Sequence, residues 1–231
     1  MHPASLALTL WIDADAREPD VRAIRALLRP GDSYVDVGAN IGQLVIEGAL
    51  AVGKSGTVFA FEGHPRTACW LRENLDLNGL QRVRVAQLAV GDRCGWVTFS
   101  DMAADDINRV TKSGGGIPVP MVTLDAIVGE ASISLLKVDV EGWEEVVFRG
   151  ARALLSRVRF VYFECWDEHL SETGTSFAEI YDLLTSHGLS LAEVRNDTAV
   201  HVGRDHTFPQ CVNVFAFRDH AEFSLRLGLG T

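Results

Sequence analysis

Apolar positions along the chain recur in two periods, and stretches of one period alternate with stretches of the other. Tyr34, Val35 and Val37 open a short apolar strand, and a helical pattern follows from Ile41 to Val52. The succession repeats: strand Thr57–Phe61 before helix Pro65–Asn78, which Gly79 closes, then strand Val83–Val90. Strand Ile133–Val140 precedes a helix over Trp143–Leu155, with Val146, Val147, Ala151, Leu154 and Leu155 on one face. Strand Phe160–Phe163 comes before helix Phe177–His187, ended by Gly188. Leu189–Val194 and Val212–Phe217 are the last two strands, with a polar connection and no helix between them. Strands alternating with helices predict an α/β fold: a mostly parallel, seven-stranded sheet with helices on both faces and an antiparallel edge strand.

The flanks and interruptions fit around this core. Upstream, Glu18–Leu28 places Val21, Ile24, Leu27 and Leu28 on one helical face, with Pro19 in the first turn. The apolar run Leu6–Ile12 is too short to span a bilayer and has no basic segment before it. Trp96–Ser100 alternates as a strand, Val119–Val122 is extended, and Thr123 caps a brief helix at Leu124–Val128. Between them Asp101–Pro118 lacks periodicity and contains Gly114–Gly116. It reads either as a lid over an acceptor or as a loose hairpin connection. One domain is expected over residues 1–231: an N-terminal helical or extended segment at 1–30 and a core at 33–217.

The first strand ends on a glycine turn, the opening of a nucleotide-binding βαβ unit. A dinucleotide fingerprint starting at Gly38 needs glycine at 40 and 43, where the chain has Asn40 and Gln43. A P-loop fails as well, since no Gly-Lys-Ser/Thr follows. The spacing of Asp36, Gly38 and Gly42 instead resembles motif I of the Rossmann-like class I methyltransferases, which depend on S-adenosylmethionine (SAM). The resemblance implies that Asp36 serves the methionine ammonium and that the turn Gly38-Ala39-Asn40 with Gly42 makes room for SAM. Glu62, followed by Gly63, ends the second strand where a carboxylate accepts from both hydroxyls of a ribose. Gln87, Leu88 and Ala89 are placed near the adenine.

A second stretch carries charge on a central strand. In Leu136-Lys137-Val138-Asp139-Val140-Glu141-Gly142 the period of two directs Lys137, Asp139 and Glu141 to one face. Buried charges are costly unless paired or used. They lie at the carboxyl end of the fourth strand, where open α/β sheets bind ligands. Asp139 and Glu141 are the candidate bases, with Lys137 orienting a carboxylate or the substrate. Glu164 and His169, just beyond the fifth strand, are second choices, and His64 faces the ribose side.

Composition narrows the partners. The 231 residues are 47% hydrophobic and 23% charged, with net charge −10. No Lys/Arg footprint marks a nucleic-acid surface, so a nucleic-acid partner is not expected, nor is a membrane. The four cysteines, at 69, 94, 165 and 211, have no C-x-x-C spacing. They read as reduced thiols of a cytoplasmic protein with no zinc site, and no metal ligand is assigned.

VDVGANIG, FEGHP, LDLNGL, AVGD, TLD and LLKVDVEGWEEVVFRGARALL, in this order, resemble the successive blocks of the FkbM family of methyltransferases. The resemblance runs from about Ser33 to Leu155. The family usually has proline where this chain has Gly63, which sets the turn near the ribose apart. The resemblance implies O-methylation of a hydroxyl on a sugar or secondary metabolite, with SAM as cofactor. Three rivals stay open: N-methylation of a small amine, a non-catalytic SAM-binding module, and a Mg²⁺-dependent O-methyltransferase using Asp139 and a group near Glu164.

Overall fold

The computed structural model describes residues 5–102, 108–111 and 115–229. Helices α1 (Ser5–Ile12) and α2 (Glu18–Leu27) lead into β1 (Ser33–Val37), α3 (Gln43–Val52), β2 (Thr57–Phe61), α4 (Pro65–Leu77) and β3 (Arg84–Ala86). Then come β4 (Ala89–Val90), β5 (Gly95–Phe99), β6 (Ile117–Val122), α5 (Leu124–Val128), β7 (Ile133–Val138), α6 (Glu144–Arg149) and α7 (Arg152–Leu155). The chain closes with β8 (Val158–Cys165), α8 (Asp167–Thr173), α9 (Phe177–Ser186), β9 (Ser190–Arg195), β10 (Thr198–His201), β11 (Val212–Phe217) and α10 (His220–Leu227).

Among the described residues the central sheet runs β10-β9-β11-β8-β7-β1-β2-β3. The pairs from β3 to β8 are parallel, and β11, β9 and β10 pair antiparallel at the other side. This is the expected α/β sheet with one strand more. The polar connection after the sixth expected strand contains β10, which turns back on β9 through Asn196 and Asp197, both at positive φ.

Alternation along the strands feeds two cores. Val35, Val37, Phe59, Leu136, Val138, Val161 and Phe163 pack with Val147, Phe148, Leu154, Leu155, Ile180 and Leu184 of α6, α7 and α9. Tyr34, Val58, Ala60, Leu135, Phe160 and Tyr162 meet Ile24, Leu27, Val45, Leu71, Leu75 and Phe223 of α2, α3, α4 and α10. Burial on both faces explains why the parallel strands read as nearly continuous apolar runs.

Two expected elements divide, each for a local reason. The helix expected over Trp143–Leu155 breaks between α6 and α7 at Gly150. A Cβ there would run into the carbonyl of Gly91, so the chains touch through bare backbone. The strand expected over Val83–Val90 stops at Ala86. Ala89 and Val90 pair instead with Met121 and Val122, in a small sheet ordered β4-β6-β5. Part of the aperiodic Asp101–Pro118 is ladder: Phe99 bridges Val110, Thr111 N–H donates to the Thr98 carbonyl at 2.8 Å, and β6 begins at Ile117. Residues 103–107 and 112–114, including Gly114 of the glycine triplet, lie outside the described residues, so a lid is not traced.

Candidate active site

A cleft of about 240 Å³ opens at the carboxyl ends of β1, β2 and β7. It is lined by Val37, Gly38, Asn40, Phe61, Glu62 and Gly63 on one side, and by Leu88, Ala89, Val90 and Phe99 above. Asp139, Glu141, Trp143 and Glu164 form the far wall.

The glycine turn is built differently from the reading that its glycines make room for a ligand. A Cβ on Gly38, whose φ is +81°, would strike the carbonyl of Asp139, and one on Gly42 would strike the Leu71 side chain. The turn's amides are also taken inside the protein. Those of Gly38 and Ala39 donate to the Phe61 carbonyl at 3.0 Å each, and that of Gly42 to the Ala39 carbonyl. Asn40 N–H donates to Glu62 Oε2 at 2.9 Å, and Ile41 N–H to Asn40 Oδ1. The glycines therefore seat β1 against β7 and α4. Ala39 and Gly42 are not on the cleft wall.

Glu62 sits at the cleft with one lone pair of each oxygen engaged: Oε2 by Asn40 and Oε1 by His64 N–H, at 2.9 Å. Burial raises its carboxyl to about 7, against the pull of these two donors. Gln87 points aside and donates to the Gly63 carbonyl at 3.3 Å, whereas Leu88 and Ala89 face the cavity. Gly63, the departure from the family's proline, has a packing reason: a Cβ there would collide with the Phe99 ring. His64 is buried, with Nε2 3.2 Å from Asp101.

Asp36 does not reach the cleft. Register places it beside Lys137, and Lys137 beside Tyr162, in one row across β1, β7 and β8. Asp36 accepts from Lys137 Nζ at 3.0 Å and from Tyr34 Oη at 2.8 Å, completely buried. Lys137 also donates to the Gly38 carbonyl at 3.2 Å and lies 3.3 Å from Asp139 Oδ2. Asp36 is thus paired with a lysine of the protein. Burial works against the charge of Lys137, but Asp36 and Asp139 outweigh it and raise its pKa.

The carboxylates of the far wall fall into two groups. Asp139 lies between Lys137 and Arg17, whose Nη2 is 3.5 Å away. Burial pushes its carboxyl up, yet these two cations hold it below the usual range. Glu141 does not share that row, because β7 ends at Val138 and the chain turns through Glu141 (φ 56°) and Gly142 (φ 92°). Its carboxylate comes 3.2 Å from His169 Nδ1 and close to Glu164. Burial, then the charge of Glu164, raises Glu141 to about 8. Burial, then Asp139, raises Glu164 to about 7, while the thiol of Cys211 donates to its Oε1 at 2.9 Å. Burial lowers His169, so its imidazole tends to neutrality.

Leu6 and Arg17, from the N-terminal segment, and Asn108 and Arg109, from the stretch Asp101–Pro118, also line the cleft. Arg17 belongs to the turn before α2 and is anchored by Asp20 at 2.7 Å. Asp20 in turn accepts from Tyr162 and from Asn213 at 2.9 Å. Only the long-range fold brings these together, although a charged Asp20 on the buried face of an amphipathic helix was a visible signal.

Residues 36–191 match the model of the methyltransferase FkbM domain. The chain belongs to the FkbM methyltransferase family. It is 32% identical to 2-O-methyltransferase NoeI of Sinorhizobium fredii, over 73% of this chain and 77% of that protein. It is 30% identical to hexuronic acid methyltransferase AglP of Haloferax volcanii, over 84% and 80%. It is also 30% identical to 31-O-demethyl-FK506 methyltransferase FkbM of Streptomyces tacrolimicus, over 71% and 75%. Among solved structures, a putative rRNA methylase from Clostridium thermocellum superposes with a TM-score of 0.53 at 12% identity, covering 87% of this chain and 95% of that one. That likeness concerns the fold alone. As an FkbM-family protein the chain is a methyltransferase, and the cleft lies at the carboxyl ends of the strands, where open α/β sheets bind ligands. Among the described residues no helix is long and apolar enough to cross a membrane.

Proposed function

We propose that this FkbM-family chain is a SAM-dependent O-methyltransferase acting on a hydroxyl of a small molecule, a sugar or a secondary metabolite. The observation that carries the reading is the division of one cleft into two chemistries. Glu62 and an apolar wall of Leu88, Ala89, Val90 and Phe99 lie on one side. Raised carboxylates at Glu141 and Glu164 lie on the other.

The donor set fits a nucleoside with a positive sulfonium. Glu62 keeps lone pairs for two ribose hydroxyls, the apolar wall suits a base, and the cleft is acidic overall. Bound there, SAM supplies an electrophilic methyl group. Gly38 and Asn40 border the same space, while Asp36, Ala39, Gly42 and Gln87 support it from behind. The names of NoeI, AglP and FkbM, which include a 2-O- and a 31-O-methyl acceptor, support an oxygen acceptor.

An alcohol is a weak nucleophile, so a base must take its proton as the new C–O bond forms. Asp139 is poorly suited, since Lys137 and Arg17 stabilise its ionised form. Glu164, near 7, has the basicity general-base catalysis favours, with Glu141 and His169 beside it. Lys137 positions Asp139 and the end of β1. Residues 33–217 form the catalytic unit, Arg17 completes it from the N-terminal segment, and Asn108 and Arg109 border the acceptor.

Two measurements test this. Calorimetry should show SAM binding and none of NAD. Incubation of the protein with labelled SAM and a panel of hydroxylated and amine acceptors should transfer label to oxygen. Absence of SAM binding overturns the reading, and transfer confined to amines overturns the oxygen acceptor.

A further inference from the structure

Glu141, Glu164 and His169 present one ligand atom each, all within 4.8 Å of one another. They come from three elements: the turn after β7, the end of β8, and α8. Gly142 makes the meeting possible, since a Cβ there would strike the His169 carbonyl; Thr173 Oγ1 ties α8 to the Gly142 carbonyl at 2.7 Å. The His169 ring is fixed against Trp166, with centroids 4.1 Å apart.

Without their protons, all three groups offer lone pairs to one small space. His169 Nδ1 is closed to solvent and has no hydrogen-bond partner among the described residues, although Glu141 Oε2 is 3.2 Å away. The distance suits a hydrogen bond and the direction does not. A neutral imidazole with its proton on Nε2 leaves the Nδ1 lone pair facing two carboxylates. Among the described residues no lysine or arginine lies within ion-pair distance of this set, although the charge of Arg109 reaches Glu141 and His169. Arg109, at the cleft rim, directs its guanidinium to Glu172 at 2.6 Å, and Lys137 and Arg17 are committed to Asp139 and its neighbours.

We propose that Glu141, Glu164 and His169 bind a divalent cation of the Mn²⁺ class at the acceptor side of the cleft. Imidazole and carboxylate together suit such an ion, and bonds of about 2.0–2.2 Å leave ligand atoms up to about 4.4 Å apart, a sub-ångström contraction from the arrangement seen. A three-residue set leaves positions open for the acceptor's oxygen. Asp139, weighed from sequence as a metal ligand, stays outside because its two cations already hold it. The proposal rests on the methyl-transfer reading of the cleft and refines it: with the ion present, Glu141 and Glu164 are ligands and the ion acidifies the acceptor hydroxyl.

The test uses Mn²⁺ alone on the metal-stripped full chain, with neither SAM nor acceptor. Calorimetry should show one saturable ion per chain, and pulsed EPR should show coupling of Mn²⁺ to a ¹⁴N nucleus. His169→Gln should abolish the nitrogen coupling. Glu164→Gln should weaken Mn²⁺ at least about tenfold, the lower end of what even outer partners of a metal contribute. Both variants should bind SAM like the wild type, which shows that they are folded. No saturable Mn²⁺ binding, no ¹⁴N coupling in the wild type, or equal Mn²⁺ affinity in all three proteins overturns the site. Failure to bind SAM overturns the methyltransferase reading instead, and leaves the Mn²⁺ result to be judged on its own.

Discussion

Lys137 Nζ stands 3.0 Å from Asp36 Oδ1 on the neighbouring strand, and both side chains are closed to solvent. The pair is a cross-strand contact enforced by register, with Asp36 opposite Lys137 in the β1–β7 ladder. Breaking a buried pair leaves one charge uncompensated, which costs about 3–5 kcal/mol. Lys137→Met should therefore lower unfolding free energy by about that much in a urea titration. Asp36→Asn added to it should recover most of the loss. A single-variant loss under about 1 kcal/mol, the range of an exposed pair, would show that the charge finds another partner.

Glu62 joins two loops by accepting from Asn40 and His64, and it faces the cleft. Glu62→Ala should weaken SAM binding by roughly 1.5–3 kcal/mol, the range for hydrogen bonds to a charged group. Calorimetry with unchanged SAM affinity would remove Glu62 from the cofactor site.

The fold was legible because burial on both faces makes core strands plain in sequence, and Gly79 and Gly188 mark where helices stop. The site was legible only in part. Lys137 and Asp139 share a face, as a period of two requires; Glu141 leaves it because β7 ends at Val138. Gly38 and Gly42 suggest space for a ligand, whereas the room a Cβ would take belongs to a carbonyl of Asp139 and to Leu71. A glycine shows that a Cβ is unwelcome, not what would meet it. No local pattern ties Arg17 to Asp139, 122 residues away, and the aperiodic stretch Asp101–Pro118 does not single out Arg109.

Glu144 gives the protein a pH-dependent stability. Buried in the first turn of α6, it accepts from Val140 and Gly142 N–H groups. Burial raises its carboxyl from 4.5 to about 8, with Glu164 and Asp139 adding to the effect of burial. Between those values the folded state holds a proton that the unfolded state has released, so stability falls as pH rises from about 4.5 to about 8. Thermal unfolding of the wild type should show Tm declining across this window. Glu144→Gln, which keeps the accepting oxygen, should flatten the decline without abolishing it, because Glu62 is raised in the same direction. Equal slopes in both proteins would place the titration elsewhere.

The order of the carboxylates in catalysis follows from their neighbours. From sequence alone Asp139 is the leading base, because it projects from the fourth strand toward the transferred methyl. In the structure its Oδ2 lies 3.3 Å from Lys137 and 3.5 Å from Arg17, and the resulting low pKa makes it a weak base. Glu164 accepts from the Cys211 thiol and is raised to about 7. Base catalysis typically contributes 10²–10⁴-fold. Glu164→Gln should therefore lower kcat by about that range while SAM still binds. Asp139→Asn, which keeps shape and loses charge, should cost less than about tenfold, the amide still accepting from Lys137. Steady-state kinetics with a methylated acceptor decides the order. A large loss in Asp139→Asn with near-wild-type Glu164→Gln would mean that the proton passes to Asp139, and that the cations beside it release it during the reaction. Loss in Glu164→Gln is expected whether Glu164 takes the proton or binds a cation. Dependence of the wild-type kcat on added Mn²⁺ after metal stripping separates these roles: a base needs no metal, whereas a ligand does.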